Sequence, residues 1–135
     1  MGKNYVDIEN DNGEALRYRK HVNGRGLIAH GAKVHPDAVV EVGAYIEPGA
    51  RVGAGAHIGR GVWVEVDAVV GEKAYIDAHA HLCPHAVVGQ NARVGVRARI
   101  GTGAQVVRGS LIGDDEVIAD GDRIATDRRG FRLAA

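Results

Sequence analysis

An all-β fold is predicted: a parallel β-helix of nearly six triangular coils, eighteen residues each, behind an N-terminal β-hairpin cap. Three observations predict it. From Ile28 to Ile124 an aliphatic residue recurs every six positions without a slip. Seventeen hits in seventeen places, in a chain where Ile, Leu and Val are about a quarter of all residues, exclude chance. Four places after each aliphatic stands a small residue, Ala32 through Ala56, Val62, Ala68 through Ala104 and Ser110, with failures at Glu116, Asp122 and Arg128. Just before that small residue, thirteen of seventeen positions are Gly, Asp or Asn, the residues that best tolerate a left-handed backbone.

Each hexad then reads as a short strand with its aliphatic pointing inward, followed by a turn whose small residue fits inside the corner. A period of six suits neither the 3.6 of a helix nor the alternation of a long strand. Three hexads close one coil, so Ile28, Ile46, Val64, Leu82, Ile100 and Ile118 stack in one column. Val34 and Val40 start the other two. Coils repeat at roughly the 4.8 Å strand spacing and pair their backbones with one another, leaving edges only at the two ends.

Composition agrees and narrows the function classes. With 135 residues the chain is read as one domain, 45% apolar and 25% charged. Aromatics are 4% while glycines number 20, so the core must be built from small aliphatics. Seventeen basic and seventeen acidic residues cancel, removing any global argument for nucleic acid or an anionic membrane surface. No apolar stretch reaches the length of a membrane span, and no signal-peptide core opens the chain. The expectation is a soluble, cytoplasmic protein. A single cysteine, Cys83, excludes an internal disulfide and a thiolate cluster.

Residues 1–27 are assigned to the cap, 28–129 to the β-helix and 130–135 to a tail. Residues 5–9 and 14–19 flank Asn10-Asp11-Asn12-Gly13, a hairpin-turn signal. Val6, Ile8, Leu16 and Tyr18 are expected to cover the N-terminal end of the core, and Phe131 and Leu133 to plug the last coil.

Position in the hexad tells where each polar side chain points. His79 and His85 fall at the turn position, where histidine tolerates the left-handed conformation. His57 and His81 fall one place before an inward aliphatic and project outward. His81 shares its row with Leu27, Tyr45, Trp63, Arg99 and Val117; His57 shares one with Val39, Tyr75, Arg93 and Leu111. Such rows suit a subunit interface or a ligand groove, and a homotrimer is expected, with Gly53, Gly71 and Gly89 allowing close approach of a partner. Arg93, Arg97 and Arg99 are read as a local cluster able to hold a phosphate or carboxylate. Cys83 is expected to point outward without a fixed basic partner, and the Glu47–Glu65 stack to be solvated surface.

The hexads resemble those of the hexapeptide-repeat family, over residues 28 to about 127. That resemblance implies a left-handed parallel β-helix, commonly trimeric, and a choice among acyltransferases, γ-class carbonic anhydrases and members without known chemistry. Ile58-Gly59-Arg60-Gly61-Val62-Trp63-Val64 resembles a run common in acetyltransferases of the family. The acyltransferase reading implies a coenzyme A thioester as donor and an unknown small acceptor. It takes His30 or His81 as general base, with Arg93, Arg99 and Trp63 beside the cofactor. Ile28-Ala29-His30-Gly31-Ala32-Lys33-Val34-His35-Pro36 resembles the segment of γ-class carbonic anhydrases that carries two zinc ligands, implying zinc at His30 and His35. The third histidine of that class lies in upstream coils, and His21 is the nearby substitute here. A non-catalytic trimeric binding or scaffold role is the remaining reading, since no loop leaves the helix to cover an acceptor. The residues leave both an enzymatic and a non-catalytic role open.

Overall fold

The computed structural model describes residues 5–9 and 12–133; the first half of the expected hairpin turn, Asn10 and Asp11, lies outside the described residues. Strand β1 (Tyr5–Glu9) pairs antiparallel with β2 (Ala15–Lys20), and β2 pairs antiparallel with β3 (Leu27–Ala29). From β3 onward the chain is a parallel solenoid. Its first face stacks six short strands from β3 to Val117–Ile118, its second six from Lys33–Val34 to Arg123–Ile124, and its third five from Val39–Val40 to Leu111–Ile112. Register is eighteen residues per coil throughout, as in Ile28↔Ile46, Val70↔Val88 and Ile76↔Val94. No helix among the described residues is long and apolar enough to cross a membrane.

The hexad explains this closely. Of the seventeen periodic aliphatics all but Val34 are buried. Val34 is partly open because the second face begins with it and nothing stacks above. At each corner a four-residue turn closes with a bond such as Ala44 N–H to the Glu41 carbonyl, 3.1 Å. At most corners its third residue has positive φ, as at Gly43 (+87°), His79 (62°) and His85 (63°). The two histidines are therefore corner residues, as their phase predicted. Gly71 is required for another reason. A Cβ there would lie 2.6 Å from the Gln90 nitrogen of the next coil, and Gly53 and Gly89 face their own next coils in the same way. These glycines serve coil stacking within the chain.

Both ends differ from expectation. The hairpin does not lie across the core; β1 and β2 extend the first face by two strands. Tyr18 is buried against Tyr45 on the outer side, ring centroids 5.8 Å apart and edge-on. The core is covered instead by the 21–26 connection, where Gly26 N–H donates to Val40 O and Val40 N–H to Asn23 O. His21 sits under this turn, 1% exposed. Its Nε2 lies 2.8 Å from the Ala38 carbonyl; a carbonyl only accepts, so the proton is on Nε2. Nδ1 is buried without a partner. At the other end Phe131 and Leu133 are exposed, not inserted. The tail turns back at 127–130 and pairs Thr126 with Arg132, so it runs beside the last coil instead of over it.

Burial holds the His21 pKa below its ordinary value, with the carbonyl bond opposing in part. A group that resists protonation when folded binds more protons unfolded. Its contribution to stability is therefore complete above the unfolded value of about 6.5 and is lost progressively as pH falls toward the lower folded value. The urea midpoint of the wild type should drop more between about pH 7 and about pH 5 than that of His21→Leu. Equal drops in the two proteins would show that His21 carries no such linkage.

Candidate active site on the first face

The residues just before and just after an inward aliphatic both point outward. With eighteen residues per coil, the residue before one aliphatic lies diagonally across from the residue after the aliphatic of the preceding coil, sixteen positions earlier. Polar partners recur at this offset. His57 Nε2 meets Glu41 at 2.7 Å, Trp63 Nε1–H donates to Glu47 at 2.8 Å, His81 Nε2 bonds to Glu65, and Arg93 donates to Asp77 at 3.3 Å. The Glu47–Glu65 stack is thus a row of acceptors, not idle solvated surface. Glu47 also takes the Tyr18 hydroxyl, whose pKa is held well above its ordinary value by burial first and that carboxylate second.

His81 is the most constrained outward histidine on this face. Its ring stacks on Trp63 at 4.6 Å and 7°. Glu65 accepts from Nε2–H, since an ionised carboxylate has only lone pairs to offer, and the free lone pair of the neutral ring is then on Nδ1. Arg99 follows His81 in register and makes no ion pair among the described residues. Cys83 completes the group. It takes an outward position as expected, but only 1% of it is exposed. Burial pushes its thiol pKa up, while Arg99 pulls the other way. Above Trp63 a groove of about 480 Å³ is walled by Ile8, Leu16 and Tyr18 of the hairpin and floored by Tyr45 and Trp63. Ile8, Leu16 and Tyr18, expected to cover the core, therefore line a surface cleft that includes Trp63, on whose ring His81 stacks.

The other candidates are dispersed. Arg93 is on the third face, stacked 4.7 Å over Tyr75, while Arg97 pairs with Asp115 at the corner and Arg99 is on the first face. Six residues carry the chain onto the next face, so three arginines near in sequence do not converge. Trp63 and Arg99 share the His81 row; Arg93 does not. The third face repeats the pattern, with His57 stacked on Tyr75 at 4.5 Å. His30 is exposed at the first corner of the first coil, beside a groove shared with Arg17 and Arg19, and its imidazole bonds to no described residue. His35 is taken up by its own turn, with Asp37 Oδ1 at 2.7 Å from Nδ1. Among the described residues the group of three ligand-type side chains that comes together is Glu65, His81 and Cys83, and neither His30 nor His35 belongs to one.

Sequence reasoning named His81, Trp63 and Arg99 but missed Glu65 as the partner of His81. The sixteen-residue offset, read down the rows, carried that signal. It also missed a groove of about 760 Å³ on the second face, where Arg19, Lys33 and Arg51 surround a floor of Val34, Val52 and Val69. Lys33 and Arg51 share a visible column; Arg19 arrives from the hairpin.

No protein-family model matches the chain, and no curated protein matches it. Solved structures do. The acetyltransferase domain of PglB from Neisseria gonorrhoeae is 34% identical with a TM-score of 0.73, over 75% of this chain and 49% of that one. A histidine variant of perosamine N-acetyltransferase from Caulobacter crescentus, in complex with CoA and GDP-perosamine, is 30% identical with a TM-score of 0.73, over 74% and 48%. The chain thus spans about half the length of these structures. The PglB domain in complex with acetyl coenzyme A is 29% identical with a TM-score of 0.65, over 81% and 57%. The unbroken hexad, the eighteen-residue coils and these likenesses together make the chain a member of the hexapeptide-repeat, parallel β-helix family.

Proposed function

We propose that the chain is a coenzyme-A-dependent acyltransferase acting on a small amine or hydroxyl acceptor, with His81 as general base. The observation that carries this reading is the His81 ring held by Glu65 and by Trp63, itself part of the groove under the hairpin, with the unpaired Arg99 beside it. The fold neighbours solved with CoA and acetyl coenzyme A support the donor. In the step, the acceptor nitrogen or oxygen attacks the thioester carbonyl while Nδ1 of His81 takes its proton. The tetrahedral centre collapses, the C–S bond breaks, and the imidazolium returns the proton to the departing CoA thiolate. Glu65 holds the ring in the tautomer this requires and stabilises its protonated form. Arg99, with the Arg19–Lys33–Arg51 groove of the second face, supplies cations for phosphate-bearing ligands. His30 serves this role less well, because no neighbour orients its ring.

The test supplies acetyl coenzyme A with a panel of nucleotide-linked amino sugars and simple amines, and reads thiol release. Acceptor-dependent release is expected. No release across the panel, with no calorimetric binding of acetyl coenzyme A, overturns the reading.

The aromatic rows of the first and third faces support a homotrimer of parallel prisms. Light scattering at micromolar concentration should give about three times the 14.2 kDa chain mass; a mass near 14.2 kDa overturns the trimer.

A further inference from the structure

Glu65, His81 and Cys83 bring a carboxylate oxygen, an imidazole nitrogen and a sulfur within 4.8 Å of one another on two adjacent coils. Glu65 and Cys83 stand one above the other in the column that follows the inward aliphatics, and His81 reaches Glu65 along the sixteen-residue diagonal. Acyl transfer by His81 and Glu65 leaves the thiol unused. The mixed set of sulfur, nitrogen and oxygen donors suits a borderline divalent ion. We propose that these three side chains bind one zinc-class divalent cation on the first face, leaving one coordination position open.

A tetrahedral ion with Zn–S of about 2.3 Å and Zn–N of about 2.0 Å holds its ligand atoms roughly 3.5 Å apart, so side-chain rotations on the order of 1 Å close the site. Proton balance is simple. The Cys83 thiol releases one proton to solvent, the His81 proton moves from Nε2 to Nδ1, and Glu65 is already a carboxylate. The thiolate, costly in its buried position, then gains a positive partner. Two charged groups outside the ligand set bear on the sulfur: the Arg99 guanidinium, which opposes a cation, and the Asp120 carboxylate, which favours one. Arg99 is exposed and free to turn to solvent. The proposal does not rest on acyl transfer, but the two compete for one imidazole.

The experiment titrates cobalt(II) into the metal-stripped full-length chain and follows the near-ultraviolet sulfur-to-cobalt charge-transfer band. One equivalent should saturate the band, and zinc should remove it. Cys83→Ser should abolish it. Glu65→Gln and His81→Asn should each weaken cobalt binding by more than the roughly tenfold cost of losing an outer partner. Arg99→Gln, an exposed change that spares the fold, should tighten it. A wild-type chain with no band, or affinity unchanged in both Glu65→Gln and His81→Asn, overturns the site. Because the readout contains no acyl donor, a chain that binds cobalt but transfers nothing refutes only the transferase reading, and the reverse refutes only the metal.

Discussion

Ile76→Ala should lower unfolding free energy by about 2–5 kcal/mol, the usual cost of emptying a fully buried aliphatic site. Ile76 is wholly buried midway along its column, paired in register with Ile58 below and Val94 above. Those neighbours are held in place by hydrogen bonds between successive coils, such as Asp77 N–H to Val94 O at 2.8 Å, and cannot collapse into the space. Small domains have in total only about 5–15 kcal/mol, so this single change removes a large share. Val34→Ala is the internal comparison. Val34 lies at the end of the second face and is partly open, so its loss should cost less than the Ile76 change. Urea unfolding of both variants followed by circular dichroism checks the order. Equal costs would mean that stacking within the column is not what stabilises the coils.

His81→Asn should reduce acyl transfer by about 10²–10⁴-fold, the range expected for removing a general base. Asparagine keeps a polar side chain near Glu65 but offers no nitrogen that accepts the acceptor's proton. His57→Asn is the discriminating partner. His57 has the same diagonal carboxylate and the same aromatic stacking on the third face, where the hairpin contributes no cleft. Its substitution should leave turnover nearly unchanged, as measured by steady-state thiol release with melting temperatures in parallel. Equal losses in the two variants would place the base elsewhere or make both effects structural.

Periodicity made the solenoid legible because each hexad carries its own instruction. The aliphatic, the turn residue and the small corner residue are local, so Ile28 to Ile124 could be assigned inward one by one, and His79 and His85 assigned to corners before any coordinate. The same phase put His57, Trp63, His81 and Arg99 on outer rows, where they stand. Contacts between coils were only half visible. The eighteen-residue column could be read off the sequence, while the sixteen-residue diagonal that joins His81 to Glu65 depends on side chains leaning across neighbouring strands.

Where the repeat stops, tertiary structure decided. Val6, Ile8, Leu16 and Tyr18 looked like a plug because they are apolar and precede the core, but β2 pairs with β3 in the plane of the first face. Backbone pairing with the open edge of β3 gives β2 a hydrogen-bonded neighbour on both sides, which lying across the core would not. The result moves Ile8, Leu16 and Tyr18 outside, creates the cleft beside Trp63, and leaves His21 to cover the first coil. Phe131 and Leu133 stay exposed for a related reason, since the tail turns back to pair with Thr126. Burial of Cys83 belongs to the same class. Its phase says outward, and only the side chains of adjoining coils decide that the outward position is closed to water. The hexad determines which way each residue points; what it meets there is set by non-local packing.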